Sequence, residues 1–127
     1  MKNSNTIHLT EKEREIMNLI WELGHCSVRK LLEHLPEPKP HFNTVSTFVR
    51  ILEQKGLVGR REGDGRGSEF YAILPRQKYR KSTLNDIVNK LFGSSFAMVS
   101  MLVDDNNLTA EQLEELLELA RNKKQPQ

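Results

Sequence analysis

"FNTVSTFVRILEQKGLV", residues 42–58, is the stretch that decides the fold. At about 100° per residue, the spacing of an α-helix, the apolar residues Val45, Phe48, Val49 and Leu52 fall in one narrow stripe. Gly56 ends the pattern, as glycine commonly does just beyond a helix. The stretch therefore predicts a helix with one face in a core.

The opposite face of this helix carries Ser46, Thr47 and Arg50. Glu and Lys would favour a helix more strongly than Ser and Thr do. Short hydroxylated side chains, however, let a helix backbone approach base edges and phosphates, which would repel Glu. The alternative is an ordinary amphipathic helix whose polar face meets water, and the flanking sequence decides between the two.

Two helices are predicted upstream. "LTEKEREIMNLIWELG", residues 9–24, begins with a capping box of Thr10 and Glu13 and ends at Gly24. "SVRKLLEHL", residues 27–35, begins at the N-cap Ser27, and the proline-rich turn "PEPKP" follows it.

Downstream, "LVGRREGDGRGSEFYAIL", residues 57–74, predicts two short strands around a glycine-rich loop, and we call this hairpin the wing. The order helix, helix, helix, hairpin is typical of a winged helix-turn-helix, in which the third helix enters a DNA major groove. The fold class is therefore mainly α with a small β wing. Arginines clustered in the wing favour contact with backbone phosphates, and solvated charges are the alternative.

The predicted DNA-binding residues lie on the polar face of the third helix and in the wing. They are Asn43, Thr44, Ser46, Thr47, Arg50, Arg60, Arg61 and Arg66.

Beyond Pro75 the pattern predicts a long fourth helix ending near Gly93, a fifth in "SFAMVSMLV" and a sixth that Thr109 and Gln112 cap. About 50 residues with such broad apolar faces bury too little alone, and association with a second copy would complete the core. We therefore predict a DNA-binding domain over residues 1–75 and a helical dimerisation domain over residues 76–127. The predicted dimerisation residues are Leu84, Ile87, Leu91, Val99, Leu102, Leu113, Leu116 and Leu117.

Composition narrows the function classes. A chain of 127 residues is not expected to form a complex multidomain enzyme. Residues 1–80 hold 14 Lys and Arg against 10 Asp and Glu, whereas residues 81–127 hold 5 against 7, so the front half suits an acidic partner. No secretory signal or membrane-spanning run is recognised, which predicts a cytoplasmic protein with no membrane partner.

Sites for catalysis, metals or cofactors are not expected. Cys26 is the single cysteine, and His25 beside it has no third group to orient a nucleophile. His34 and His41 bracket the proline turn, but two histidines alone make a weak metal site. We predict no enzymatic activity, no metal and no cofactor.

The chain resembles the penicillinase-repressor family of bacterial transcription regulators, which includes β-lactam-responsive, methicillin-resistance and copper-responsive repressors. The resemblance is carried by "LTEKEREIMNLIWELG", "NTVSTFVRILEQKGLV", "EFYAIL" and "FGSSFAMVSMLVDDNNLTAEQLEELLEL". It implies an N-terminal winged helix, a C-terminal helical dimerisation domain, and a homodimer bound to double-stranded, dyad-symmetric operator DNA.

This sequence departs from the family pattern in two features. The C-terminal "LELARNKKQPQ" lacks the cysteines of the copper-responsive members, which disfavours copper sensing. β-Lactam-responsive members are cleaved at an Asn–Phe bond, which falls here on Ser100–Met101 when one gap follows Lys90. Regulation by a sensor protease therefore stays open.

The leading prediction is a transcriptional repressor that binds its operator as a homodimer, with the third helix in the major groove and the wing on the backbone. The alternative is a winged helix that binds proteins without specific affinity for DNA. An enzyme is a distant third, because no cluster of ionisable groups supports one.

Overall fold

The computed structural model describes residues 7–63 and 67–123 and confirms a winged helix followed by helices. The described elements are, in chain order, α1 (Glu11–Leu23), β1 (His25–Cys26), α2 (Val28–His34), α3 (Phe42–Gln54), β2 (Val58–Glu62), β3 (Ser68–Ala72), α4 (Arg76–Ile87, continued by a π-helical turn over Val88–Phe92), α5 (Ser95–Asp104) and α6 (Ala110–Asn122).

Local capping explains where α1 begins and ends. The backbone N–H of Thr10 donates to Glu13 Oε1 at 3.0 Å, and the N–H of Glu13 donates to Thr10 Oγ1 at 3.2 Å. Gly24 then takes a φ of +86°, which glycine adopts without strain. The predicted capping box and stop are both confirmed.

The sheet has three antiparallel strands in the order β1–β3–β2. The predicted hairpin is present, with Arg60 opposite Phe70 and Arg61 opposite Glu69. The strand β1 was not predicted, because a strand of two residues shows no alternation of apolar and polar side chains. It pairs with two residues of β3 on the edge that β2 leaves free, with Cys26 opposite Phe70.

The core of the first unit is built around α3, whose Val45, Val49 and Leu52 are at most 1% exposed. Side chains of α1, α2 and the sheet surround them. Trp21 lies at the edge of this core and donates its indole N–H to the carbonyl of Leu74 at 2.8 Å. The predicted apolar stripe of α3 is confirmed.

An ion pair between the buried Glu13 and the exposed Lys55 joins the start of α1 to the end of α3. Glu13 is 4% exposed, and Lys55 Nζ donates to its carboxylate at 2.9 Å. Burial alone would raise the pKa of this carboxyl, but the hydrogen bond from Lys55 and the backbone N–H of Thr10 outweigh burial and hold the pKa of Glu13 below its usual value. The pair thus ties two helix ends together.

We expect Glu13→Gln to lower the free energy of unfolding at pH 7 by about 1 kcal/mol, because Gln keeps the capping box but loses the charge that Lys55 meets. The folded-state pKa lies below the unfolded one, so the stabilisation is complete above pH ~4.3 and is lost as the pH falls through the folded value. Urea unfolding at several pH values measures the difference in unfolding free energy between wild type and Glu13→Gln. Glu11→Gln, at an exposed site in the same turn, is the control. Equal pH profiles for wild type and Glu13→Gln would contradict the assignment.

The chain divides into two compact units, Met1–Thr83 and Leu84–Gln127, so the division falls within α4, whereas the sequence placed the domain boundary at 75/76. The first turns of α4 belong to the first unit for a physical reason. The Arg76 guanidinium lies 5.5 Å from the centre of the Trp21 ring, and the Tyr79 ring lies 5.7 Å from it. Ser82 Oγ accepts a hydrogen bond from the N–H of Ile7 at 3.1 Å.

The second unit holds the end of α4, α5 and α6. Gly93 (φ +81°) ends the π-helical turn, and the predicted Thr109–Gln112 capping box opens α6. Among residues 84–123, all of which the structure describes, only Val88 is buried. Of the predicted dimerisation residues, Val99 and Leu113 are half-buried and the others are exposed: Leu84, Ile87, Leu91, Leu102, Leu116 and Leu117.

Candidate nucleic-acid interface

The polar face of α3 borders an open groove of about 380 Å³, which we call the arginine groove. Three elements form it: the start of α2, the solvent face of α3 and the sheet. Three arginines and no Asp or Glu line the described part of this groove. The lining residues are Ser27, Val28, Arg29, Phe42, Ser46, Arg50, Arg60, Gly67, Ser68 and Phe70.

The five predicted DNA-binding residues of α3 fall into two groups on the surface of the helix. Ser46 and Arg50 lie in the arginine groove, one helical turn apart. Asn43, Thr44 and Thr47 are exposed on the neighbouring surface of the helix. All five therefore lie outside the core on the N-terminal two thirds of α3, the part of a recognition helix that meets base edges.

Thr47 has a defined hydroxyl. Its Oγ1 donates to the carbonyl of Asn43 at 2.9 Å, one turn back along the helix. The hydroxyl proton is thereby engaged by the helix backbone. Toward a partner, Thr47 can offer its methyl group and the remaining lone pairs of its oxygen.

Arg60 is held against α3 by a bidentate ion pair with Glu53. Its Nε and Nη2 donate to the two carboxylate oxygens of Glu53 at 3.0 and 2.9 Å. These hydrogen bonds are the main reason that the pKa of Glu53 lies below its usual value, and the charge of Arg50 adds to the effect. The guanidinium also lies 5.2 Å from the centre of the Phe70 ring. Arg60 thus lines the groove and braces the wing on α3.

Arg61 points to the other side of the sheet, because neighbouring residues of a strand face opposite ways. Its Nη2 lies 3.3 Å from Glu69 Oε1 and 3.1 Å from His25 Nε2. His25 Nδ1 is itself 2.9 Å from the same Glu69 oxygen. The structure therefore separates Arg61 from Arg60, and Arg66 lies outside the described residues.

Sequence reasoning missed three residues of the arginine groove that can meet a ligand: Ser27, Arg29 and Phe42. The apolar stripe of the second helix already contained the signal for Arg29, because a stripe through residues 28, 31, 32 and 35 leaves residue 29 outside. Phe42 is neither in the predicted apolar stripe nor among the predicted DNA-binding residues, and no sequence signal shows that its side chain is 44% exposed.

Of the two histidines near the proline turn, His41 caps α3, and His34 contacts the backbone of its own helix, α2. His41 Nδ1 accepts from the N–H of Asn43 at 3.1 Å, and His34 Nδ1 lies 3.0 Å from the carbonyl of Lys30. In the described part of the chain, no group of three or more His, Cys, Asp or Glu could hold a metal ion. Burial, with the nearby charge of Glu69, raises the pKa of the Cys26 thiol to about 11, so the thiol stays protonated at neutral pH.

The fold and this surface define a winged-helix protein with an accessible third helix. The profile of the penicillinase repressor family matches residues 9–122. The chain belongs to this family of bacterial transcriptional repressors.

Several curated proteins are similar over nearly the whole chain. The methicillin resistance regulatory protein MecI of Staphylococcus aureus (strain N315) is 24% identical over 123 residues, which cover 95% of this chain and 99% of that protein. MecI of Mammaliicoccus sciuri is 23% identical over the same length. An uncharacterised 16.5 kDa protein of Latilactobacillus sakei is 26% identical over 118 residues, or 91% of this chain and 80% of that protein.

No single helix within residues 7–63 and 67–123 combines the length and the apolar character needed to cross a membrane. By length and composition alone, the bent pair Arg76–Phe92 and Ser95–Asp104 meets that criterion.

Proposed function

We propose that this chain represses transcription by binding dyad-symmetric operator DNA as a homodimer, with α3 in the major groove. The observation that carries the proposal is the arginine groove, where Ser46 and Arg50 of α3 stand beside Arg29 of α2 and Arg60 of the wing. A recognition helix needs such a face: base-reading side chains in the centre and cations at the flanks for the phosphates.

The charges assign different roles to these residues. Arg50 is exposed in the middle of α3, where a guanidinium can donate two hydrogen bonds to the O6 and N7 of a guanine. Asn43 can form two hydrogen bonds with an adenine, donating to N7 and accepting from the N6 amino group, and Thr44, Ser46 and Thr47 supply shorter contacts.

Arg29 lies at the edge of the groove, on a different helix, and is suited to the phosphate backbone. Arg60 contacts a phosphate only by exchanging Glu53 for it or by using its remaining N–H donors. Arg61 and Arg66 stay proposed as backbone contacts of the wing.

The exposed apolar side chains of residues 76–127 support the homodimer. On α6, Leu116 and Leu117 are 47% and 49% exposed, and Leu113 beside them is half-buried. Together they form one stripe at spacings of three and four residues, which a second copy would cover. A two-fold dimer would place two α3 helices in major grooves about 10 bp apart or a multiple of that distance.

The location of the protein and its other partners are also proposed, on the basis of the family. A repressor of bacterial genes acts in the cytoplasm, without a membrane partner. A sensor protease remains a candidate partner, but Ser100–Met101 lies inside α5, and proteases cleave extended chain. Cleavage there would require α5 to open first.

Titration of the full chain against the DNA upstream of its own gene tests the proposal. The control duplex has the same base composition in shuffled order. We expect the upstream DNA to bind at least 10³-fold more tightly than the shuffled duplex, with an affinity that falls steeply as salt increases. Equal affinity for both duplexes, or binding that does not respond to salt, would favour the protein-interaction alternative instead.

A further inference from the structure

Phe42 is an apolar residue in a place where a DNA-binding surface is otherwise polar. It is the first residue of α3, and its side chain is 44% exposed although phenyl groups usually reside in cores. It lies in the arginine groove with Ser46 and Arg50, each one turn further along the helix. These three residues, 42, 46 and 50, form one i, i+4 row along the face proposed to meet DNA.

The chemistry of the major groove limits what a phenyl ring can meet there. Base edges in that groove present hydrogen-bond donors and acceptors, with one apolar exception, the C5 methyl group of thymine. A phenyl ring that covered a guanine or cytosine edge would remove water from polar atoms without replacing its hydrogen bonds, which is unfavourable. A ring that covers a thymine methyl buries apolar surface on both sides.

We propose that Phe42 is a specificity-determining residue that packs on the C5 methyl of one thymine in each operator half-site. The inference rests on the proposed function. Its position at the start of α3 supports it, because the N-terminal residues of a recognition helix contact base edges. The His41 cap fixes the backbone at this point: its Nδ1 accepts from the N–H of Asn43 at 3.1 Å. The ring is therefore presented from an ordered helix end.

The test uses the full chain and a duplex that the chain itself enriches from a library with a randomised central segment. Each thymine of that duplex is replaced in turn by deoxyuridine, which removes only the C5 methyl group. We expect one thymine per half-site whose replacement weakens binding about fourfold, the equivalent of ~0.8 kcal/mol for one buried methyl. For Phe42→Ala, the same replacement should leave the Kd unchanged.

Leu119→Ala is the control, because it removes an exposed apolar side chain from α6, which carries no residue proposed to contact DNA, and it should keep the wild-type sensitivity at that thymine. A measurement on unmutated protein guards against misfolding of Phe42→Ala: with cytosine at that position, 5-methylcytosine should bind about fourfold more tightly than cytosine.

The outcomes separate the two proposals. If the duplex is bound specifically but no thymine replacement weakens binding, or if Phe42→Ala keeps the full sensitivity, the role of Phe42 is overturned and the proposed function stands. If the library yields no enriched sequence, the proposed function fails and this inference fails with it.

Discussion

Leu116→Asp is expected to dissociate the homodimer and to weaken operator binding by about 10²–10⁴-fold. The substitution places a charge on the apolar stripe of α6, where Leu116 and Leu117 are each about half exposed in the single chain. A dimer binds its second half-site as an intramolecular step, and that advantage accounts for the factor. Sedimentation equilibrium and operator titration of the same preparation measure both effects.

Leu119→Asp is the matched control, with the same substitution on the same helix. Leu119 is 67% exposed and shares a surface with Glu111, Glu114, Glu115 and Glu118; it lies one turn beyond Leu116 but is not a member of the stripe. It should leave the dimer intact, and both variants should keep the thermal unfolding of the winged helix. A Leu116→Asp monomer that bound the operator as tightly as wild type would show that dimerisation is not needed.

Arg50→Ala should cost about 1–3 kcal/mol of operator binding and relax the base preference at one or two positions. The reason is the position of Arg50 in the arginine groove, on the exposed face of α3. Binding of the variant to operators changed at one base pair at a time measures how far the preference is relaxed.

Arg29→Ala is the comparison for a phosphate-binding residue. It removes the same charge from the edge of the same groove. Because a phosphate carries no sequence information, the variant should lose affinity for all sequences by about the same factor. The slope of log affinity against log salt concentration should fall by about one unit. If Arg29→Ala altered base preference while Arg50→Ala left it intact, the proposed orientation of α3 on DNA would be wrong.

Much of the fold could be predicted because its signals are local. The capping pairs Thr10–Glu13 and Thr109–Gln112 span three residues each, and the stripe of α3 repeats within one helix. Both depend on spacing along the chain, which the sequence displays directly. The strand β1 could not be found in this way, since two residues have no period.

The details of the candidate site depend on contacts between distant residues. The pair of Arg61 with His25 joins positions 36 residues apart, and β1 brings them together. The ion pair between Glu53 and Arg60 depends on how the chain turns between the end of α3 and the start of β2. A sequence shows a cluster of arginines but not which of them a carboxylate already holds.

Phe42 illustrates a second limit. The predicted apolar stripe leaves Phe42 out, and only the structure shows that its ring is exposed in the arginine groove. The roles of Asn43, Thr44 and the wing arginines stay predictions, since they concern a partner.

Hydroxyl-radical footprinting of the full chain on the DNA that it binds tests the central claim most directly. A homodimer with one α3 in each of two major grooves predicts two protected segments on one side of the duplex, related by a dyad and centred about 10 bp apart or a multiple of that. A single protected segment, or protection without two-fold symmetry, would contradict the account.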